Sequence, residues 1–282
     1  MEPLSLQCLA ESIEDSTLLP PLPAAVLAAQ ELVNDPESSI NQIASLLETE
    51  PSITLKILKV ANSAYYGMRR RIDSIETALI VLGLRATYEL LETVGVISAF
   101  SGRVETDFLR KLTRHSVLVA MTCSITADAA GSQFNGIEYT AGLLHNMGHA
   151  AIHVLAPDHA GFLIEQGDFL TMGCEKEQRF IGVDHCQAGK LLAEAWGLPD
   201  IIGECMESHH LSLEGDKELS IPGLIRFAVY LSGHLHQDEP EETCRIPLPE
   251  RHFSSGLPLE NILNTLKDRL DEAKEMGDLL IP

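Results

Sequence analysis

Apolar positions recur at i, i+3, i+4 and i+7 along most of the chain, and no stretch alternates with period two, so the pattern predicts helix after helix. Leu22-Pro23 leads into an alanine-rich run from Ala24 to Leu32, which Asp35-Pro36 ends. Ser39 with Gln42 three residues on forms a capping box for a helix through Ile43, Leu46 and Leu47. Glu50-Pro51 breaks that helix, and Ile53, Ile57, Leu58, Val60 and Ala61 mark the face of the next. The turn Tyr66-Gly67 and the run Met68-Arg69-Arg70-Arg71 precede Ser74, the N-cap of a helix over Ile75–Leu82 that Gly83 closes. A helix from Leu84 to Phe100 ends at Ser101-Gly102.

The second half continues the habit with different side chains. Leu109–Ala129 carries His115, and Tyr139–Leu155 reads as one helix carrying His145, Asn146, His149 and His153. Asp184 caps a helix through Trp196, and Gly197-Leu198-Pro199 stops it. Pro199–His210 and Ile221–His236 follow, then a Glu- and Pro-rich linker, Gln237–Gly256. Leu259, Ile262, Leu263, Leu266 and Leu270 give the last helix one apolar stripe, which folds back on the bundle or meets a partner. The expected architecture is an all-α, multi-helix bundle in three parts: residues 1–103, 104–237 and a terminal segment 238–282. No repeat of fixed period interrupts it.

Composition narrows the function. The 282 residues are 45% hydrophobic but only 5% aromatic, so the core is aliphatic. Forty-one acids against 20 bases give a net charge of −21, which opposes non-specific nucleic-acid binding and anionic membrane surfaces. Six cysteines without a C-x-x-C pair read as reduced thiols in a cytoplasmic chain, and Cys123, Cys186 and Cys205 as small hydrophobes on apolar faces. Acids near the N-terminus argue against a signal peptide, and no apolar run approaches the roughly 18 residues of a membrane span.

Histidine is the most informative residue type. His145, His149 and His153, spaced by four, are expected on one helix face. His185 opens a helix, where the backbone potential favours a neutral imidazole able to bind a metal. His209 and His210 are expected to diverge, so that only one joins a common site. One reading is a metal centre from His115, His145, His149, His185 and His209 or His210; the other is a set of core histidines satisfied by carbonyls and carboxylates. Cys186 beside His185 lacks a third orienting group for nucleophilic work. Arg69, Arg70 and Arg71 either grip an anion near the Ser74 helix start or pair with surrounding acids. Asn62 reads as a buried hydrogen-bonding wedge.

The order of these motifs resembles the HD superfamily of metal-dependent phosphohydrolases: His115, then His145-Asn146-Met147-Gly148, Gly182-Val183-Asp184-His185 and His209-His210. The first half resembles the HDOD family through Leu19-Pro20-Pro21-Leu22-Pro23, Leu58-Lys59-Val60-Ala61-Asn62-Ser63, Ile72-Asp73-Ser74-Ile75-Glu76-Thr77-Ala78 and Leu82-Gly83. The resemblance, over about residues 15–236, implies an all-helical bacterial signalling module without established catalysis. Active HD enzymes hold metal with a His, a His-Asp pair and a later Asp. Here Asn146 stands for the pair's Asp and Val229 for the later one, and His149 replaces a frequent Lys.

Losing two carboxylates removes the ligands that hold and bridge hard divalent ions. Neutral imidazoles can still hold one borderline ion of the zinc or nickel type. The expectation is therefore a non-catalytic regulatory module acting through signalling protein partners, with a homo-oligomer as one form of assembly. The alternatives are an HD-type phosphohydrolase of a nucleotide or cyclic dinucleotide, and a sensor of an anionic ligand.

Overall fold

The computed structural model describes residues 2–14, 19, 22–35, 37–63, 68, 70–132, 134, 136–167, 169–170, 172–213, 219–235 and 259–281. Among them the regular structure is fourteen helices and no strand. In chain order these are α1 (Leu6–Glu14), α2 (Ala24–Asn34), α3 (Ile40–Leu47), α4 (Pro51–Ala61), α5 (Ile75–Phe100), α6 (Thr106–Ala129), α7 (Ile137–Leu144), α8 (Gly148–Leu155), α9 (Pro157–Gln166), α10 (Cys174–Ile181), α11 (His185–Ala195), α12 (Asp200–Ser208), α13 (Ile221–Leu235) and α14 (Leu259–Leu280). None of the described helices is long and apolar enough to cross a membrane.

Helix ends obey the local chemistry of the sequence. Ser39 accepts from the Gln42 amide while Gln42 reaches back to the Ser39 amide, a complete capping box. Asp184 and Gln187 repeat the device at α11. Ser74 accepts from the Thr77 amide at the start of α5. Within α5, Gly83 has φ +75°, so the span is two helices meeting at a left-handed residue, as its sequence predicts.

The chain divides into two compact units, one of Met1–Pro20 with His115–Leu270 and the other of Pro21–Arg114 with Asp271–Pro282. In the second unit α5 carries the core, packed against α2, α3 and α4. Asn62 donates from its amide to the Leu58 and Ile72 carbonyls and accepts from the Ile72 amide, each at 2.8 Å. It is a wedge as expected, but an exposed one.

The first unit is built around α11, which lies against α8, α12 and α1. The approach to α8 is backbone on backbone: a Cβ on Gly148 would sit 1.9 Å from the His185 carbonyl oxygen and 2.7 Å from the Gly189 nitrogen. Gly142 meets α6 in the same way, with the Ala120 Cα 2.6 Å from its would-be Cβ. A satellite cluster joins Phe227, Tyr230 and Leu231 of α13 to Ile262 and Leu266 of α14. The terminal apolar stripe is therefore turned onto its own chain. The linker 237–256 and the turn Tyr66-Gly67 lie outside the described residues.

Three expectations need correction. Residues 139–155 do not form one helix: α7 ends at Leu144, and His145-Asn146-Met147 form a turn before α8. In that turn the Met147 amide donates to the Leu144 carbonyl and the His149 amide to the Asn146 carbonyl, three-residue bonds that tighten the chain where Gly148 is drawn against α11. His145 and His149 thus stand on different elements. Second, α12 ends at Ser208, leaving His209-His210 in the following turn. Third, α1, α9 and α10 were not anticipated. α10 matters most, because it carries Cys174 and Glu177.

Gly148→Ala is expected to destabilise the first unit by about 3 kcal/mol or more, since rigid backbone faces the added methyl. Chemical denaturation followed by circular dichroism reads this; an unchanged midpoint would contradict the close approach.

Candidate metal centre

Six of the seven histidines singled out in the sequence converge inside the first unit; the seventh, His153, stands in the last turn of α8. His115 leaves α6, His145 the α7–α8 turn, His149 the first turn of α8, His185 the first residue of α11, and His209 and His210 the turn after α12. His145 and His185 are fully buried, His115, His149 and His209 nearly so, and His210 is partly exposed. The predicted divergence of His209 and His210 does not occur. Their Nε2 atoms lie 3.2 and 3.1 Å from His185 Nε2, because a turn, unlike a helix, lets neighbours face the same point.

Hydrogen bonds fix which ring nitrogen carries the proton. A carbonyl oxygen only accepts, so His145 Nδ1 donates to Gly142 O at 2.6 Å and His209 Nδ1 donates to Met206 O at 2.9 Å. In the neutral rings both Nε2 atoms are then lone-pair acceptors. His145 Nε2 meets His115 Nε2 at 3.2 Å, so His115 donates there. His185 is held differently. Its Nδ1 lies 2.7 Å and its backbone N 2.9 Å from the same oxygen of Glu177, a fully buried carboxylate.

With Nδ1–H given to Glu177, His185 Nε2 faces the lone pair of His209 Nε2. Two lone pairs at that distance repel unless a proton or a metal ion stands between them. Without metal the proton does so. Burial lowers the His185 pKa, but the charge and hydrogen bond of Glu177, with smaller help from Cys174 and Asp184, outweigh it and raise the value to about 9. The neutral His185 expected from its place at a helix N-terminus is thus overturned by a carboxylate that the sequence reading had not placed. Burial first, then the His185 charge, pushes His210 down to about 3. Burial also brings His145 to about 3 and holds His149 and His209 well below the ordinary range.

His149 stacks on His185, ring centroids 4.0 Å apart at 16°, with its Nδ1 3.6 Å from the other Glu177 oxygen. Two cysteines complete the surroundings. Cys174 Sγ is 3.4 Å from Cys186 Sγ, which is 3.6 Å from His185 Nε2. The hydrogen bond from Cys186 lowers the Cys174 thiol and, with burial, pushes Cys186 up. Cys186 is therefore no isolated hydrophobe, whereas Cys123 and Cys205 are plainly buried thiols. Cys174 and Glu177 were missed in the sequence. The available signal was Gly182, a left-handed C-cap that closes a helix over precisely spaced polar residues before the Asp184 cap.

The donor set decides what can bind. A carboxylate-bridged pair of hard cations does not fit: Asn146 supplies a neutral amide whose buried Oδ1 has no hydrogen-bond partner among the described residues, and Val229 is a buried alkyl group. Imidazole, thiol and carboxylate groups here can hold a metal ion, either Cys174 with His185, Cys186 and His210 or His149 with Glu177 and His185. Of the arginines, Arg69 lies outside the described residues. Arg70 and Arg71 are in the second unit, at a cavity of about 650 Å³ with Lys59 and Asp73.

This geometry sits on a recognisable fold. The HDOD domain matches residues 19–212. An uncharacterized protein of Treponema pallidum (strain Nichols) is 30% identical over 207 residues, 72% of this chain but 39% of the relative, so the chain spans about two fifths of that protein's length. A crystal structure from Geobacter sulfurreducens, described as an HDOD domain protein with unknown function, superposes with TM-score 0.68 at 24% identity, covering 98% of this chain and 99% of the other. One from Shewanella amazonensis SB2B, described as a candidate phosphohydrolase, gives 0.73 at 21% identity over 97% and 98%. One from Marinobacter aquaeolei VT8, described as a candidate signal transduction protein, gives 0.72 at 19% over 97% and 65%. These are all-helical relatives in fold. The chain belongs to the HDOD domain family.

In chelator-treated protein, Glu177→Gln is expected to cost about 3–5 kcal/mol, because the buried His185 charge loses its counterion. Urea denaturation measures this. A loss below about 1 kcal/mol would show that the pair is not ionised.

Proposed function

We propose that the chain is a non-catalytic regulatory module of cytoplasmic signal transduction, acting through contacts with protein partners. The observation that carries this reading is the state of the carboxylates beside the histidines. Glu177 Oε2 accepts from both the ring and the backbone of His185. Asp184 caps α11 through the Gln187 amide and accepts from the Gln178 side chain. Asp184 is taken up by the α11 cap, Glu177 keeps one oxygen, Oε1, without a hydrogen-bond partner among the described residues, and the two positions where HD enzymes would supply further acids hold Asn146 and Val229, so a second bridging carboxylate is lacking. Phosphohydrolase and signal-transduction descriptions both occur among the structural relatives; the donor set favours the second.

The centre then serves the fold. It joins α6, the α7–α8 turn, α11 and the turn after α12 at one point, with at most a single transition-metal ion of the zinc type. The purified 282-residue chain is expected to show no phosphatase, phosphodiesterase or nucleotidase turnover with added manganese, magnesium or zinc. A rate that survives purification and disappears in His145→Ala contradicts the proposal and restores the hydrolase.

A second reading, an anionic-ligand sensor, is favoured by the separate cavity of the second unit, where Lys59, Arg70 and Arg71 gather beside apolar Leu55, Leu58 and Met68. A ligand at 100 times its dissociation constant raises stability by about 2.7 kcal/mol. Thermal-shift titration with mono- and dinucleotides is expected to show such a rise in wild type and not in Arg70→Glu/Arg71→Glu; no shift with any nucleotide would count against it.

A further inference from the structure

We propose that Cys174, His185, Cys186 and His210 form a closed tetrahedral zinc site with two thiolate and two imidazole ligands. The four ligand atoms lie within 4.8 Å of one another. A tetrahedral zinc with Zn–S of about 2.3 Å and Zn–N of about 2.0–2.1 Å has edges of about 3.8 Å between sulfurs, 3.6 Å from sulfur to nitrogen and 3.3 Å between nitrogens. The corresponding separations here are 3.4 Å for Cys174 to Cys186, 3.6 Å for Cys186 to His185 and 3.1 Å for His185 to His210. These three of the six ligand pairs lie within about 0.4 Å of their edges, and the other three lie within 4.8 Å.

The surroundings are those of a ligand set and not of four groups that merely touch. Glu177 accepts from His185 Nδ1–H at 2.7 Å, which orients the ring and leaves Nε2 for the ion, the carboxylate–histidine–zinc arrangement. Three short segments supply the ligands: the first residue of α10, the first two of α11 and the turn after α12. Soft sulfur selects zinc over magnesium, calcium or manganese. On binding, the protons on the ligand atoms leave to solvent, and the ion stands between His185 Nε2 and His210 Nε2. Four protein ligands leave no coordination position for an activated water, which makes the site structural.

This goes beyond the regulatory reading and does not rest on it, since an assay of turnover and a metal spectrum fail separately. The 282-residue chain, stripped by a chelator and kept reduced, is titrated with Co²⁺ alone. The expected result is one ion per chain, with tetrahedral ligand-field absorption in the visible and thiolate-to-cobalt charge transfer in the near-ultraviolet, both abolished when Zn²⁺ is added. Cys174→Ser and Cys186→Ser each lower the charge-transfer intensity by roughly half. Glu177→Gln weakens binding by about 10–100-fold. Cys8→Ser, at an exposed thiol, leaves the spectrum unchanged. Should a cysteine variant lose its helical circular dichroism, the wild-type spectrum decides alone. Absence of stoichiometric metal, cobalt bound without charge transfer, or full charge transfer in both cysteine variants overturns the site.

Discussion

A buried carboxylate governs the centre of this protein. Glu177, with no exposed surface, accepts from the His185 ring and backbone through one oxygen. An ion taken out of water costs several kcal/mol unless a partner and hydrogen bonds offset it. His185 is that partner, and its charge then dictates the rest. Burial, with the His185 charge, lowers His145, His209 and His210 around it, and His209 turns its Nε2 lone pair to His185. A proton or a metal has to stand there. The chemistry of the site is thus a question of which cation neutralises Glu177.

The fold exists to hold that convergence. His185 is the first residue of α11, and α8 can bring its own turn close only because Gly148 lays backbone against the His185 carbonyl. The same contact explains why α7 and α8 are separate helices: the turn between them carries His145 to the centre. Asn146 in that turn offers a neutral amide where a hydrolase needs an anion. Chemistry that depends on bridged hard cations is lost, while a soft, closed site remains open to the thiols of Cys174 and Cys186.

Much of this was legible before any coordinates. Helix periodicity, the Ser39 and Asp184 capping boxes and the stop at Gly83 depend on neighbours a few residues away, and the all-α architecture followed from them. The histidines could be named because they recur at helical spacing in a recognisable order. What the sequence withheld was tertiary. Whether residues 139–155 bend depends on the packing of Gly148 against a helix about forty residues later. Whether His209 and His210 share a target depends on where α12 frays. α10 is short and polar on its surface, so periodicity gave it no weight, and with it Glu177 and Cys174 stayed hidden.

The most direct measurement of the central constraint is the protonation of the imidazoles themselves, read by long-range proton–nitrogen NMR on histidine-labelled, metal-free protein near neutral pH. His185 is expected to appear as the doubly protonated ring, with His145 and His209 as neutral rings protonated at Nδ1. Zinc is expected to remove the His185 Nε2 proton and leave the other two tautomers in place. A neutral His185 in the metal-free protein, or His145 and His209 protonated at Nε2, would contradict the account.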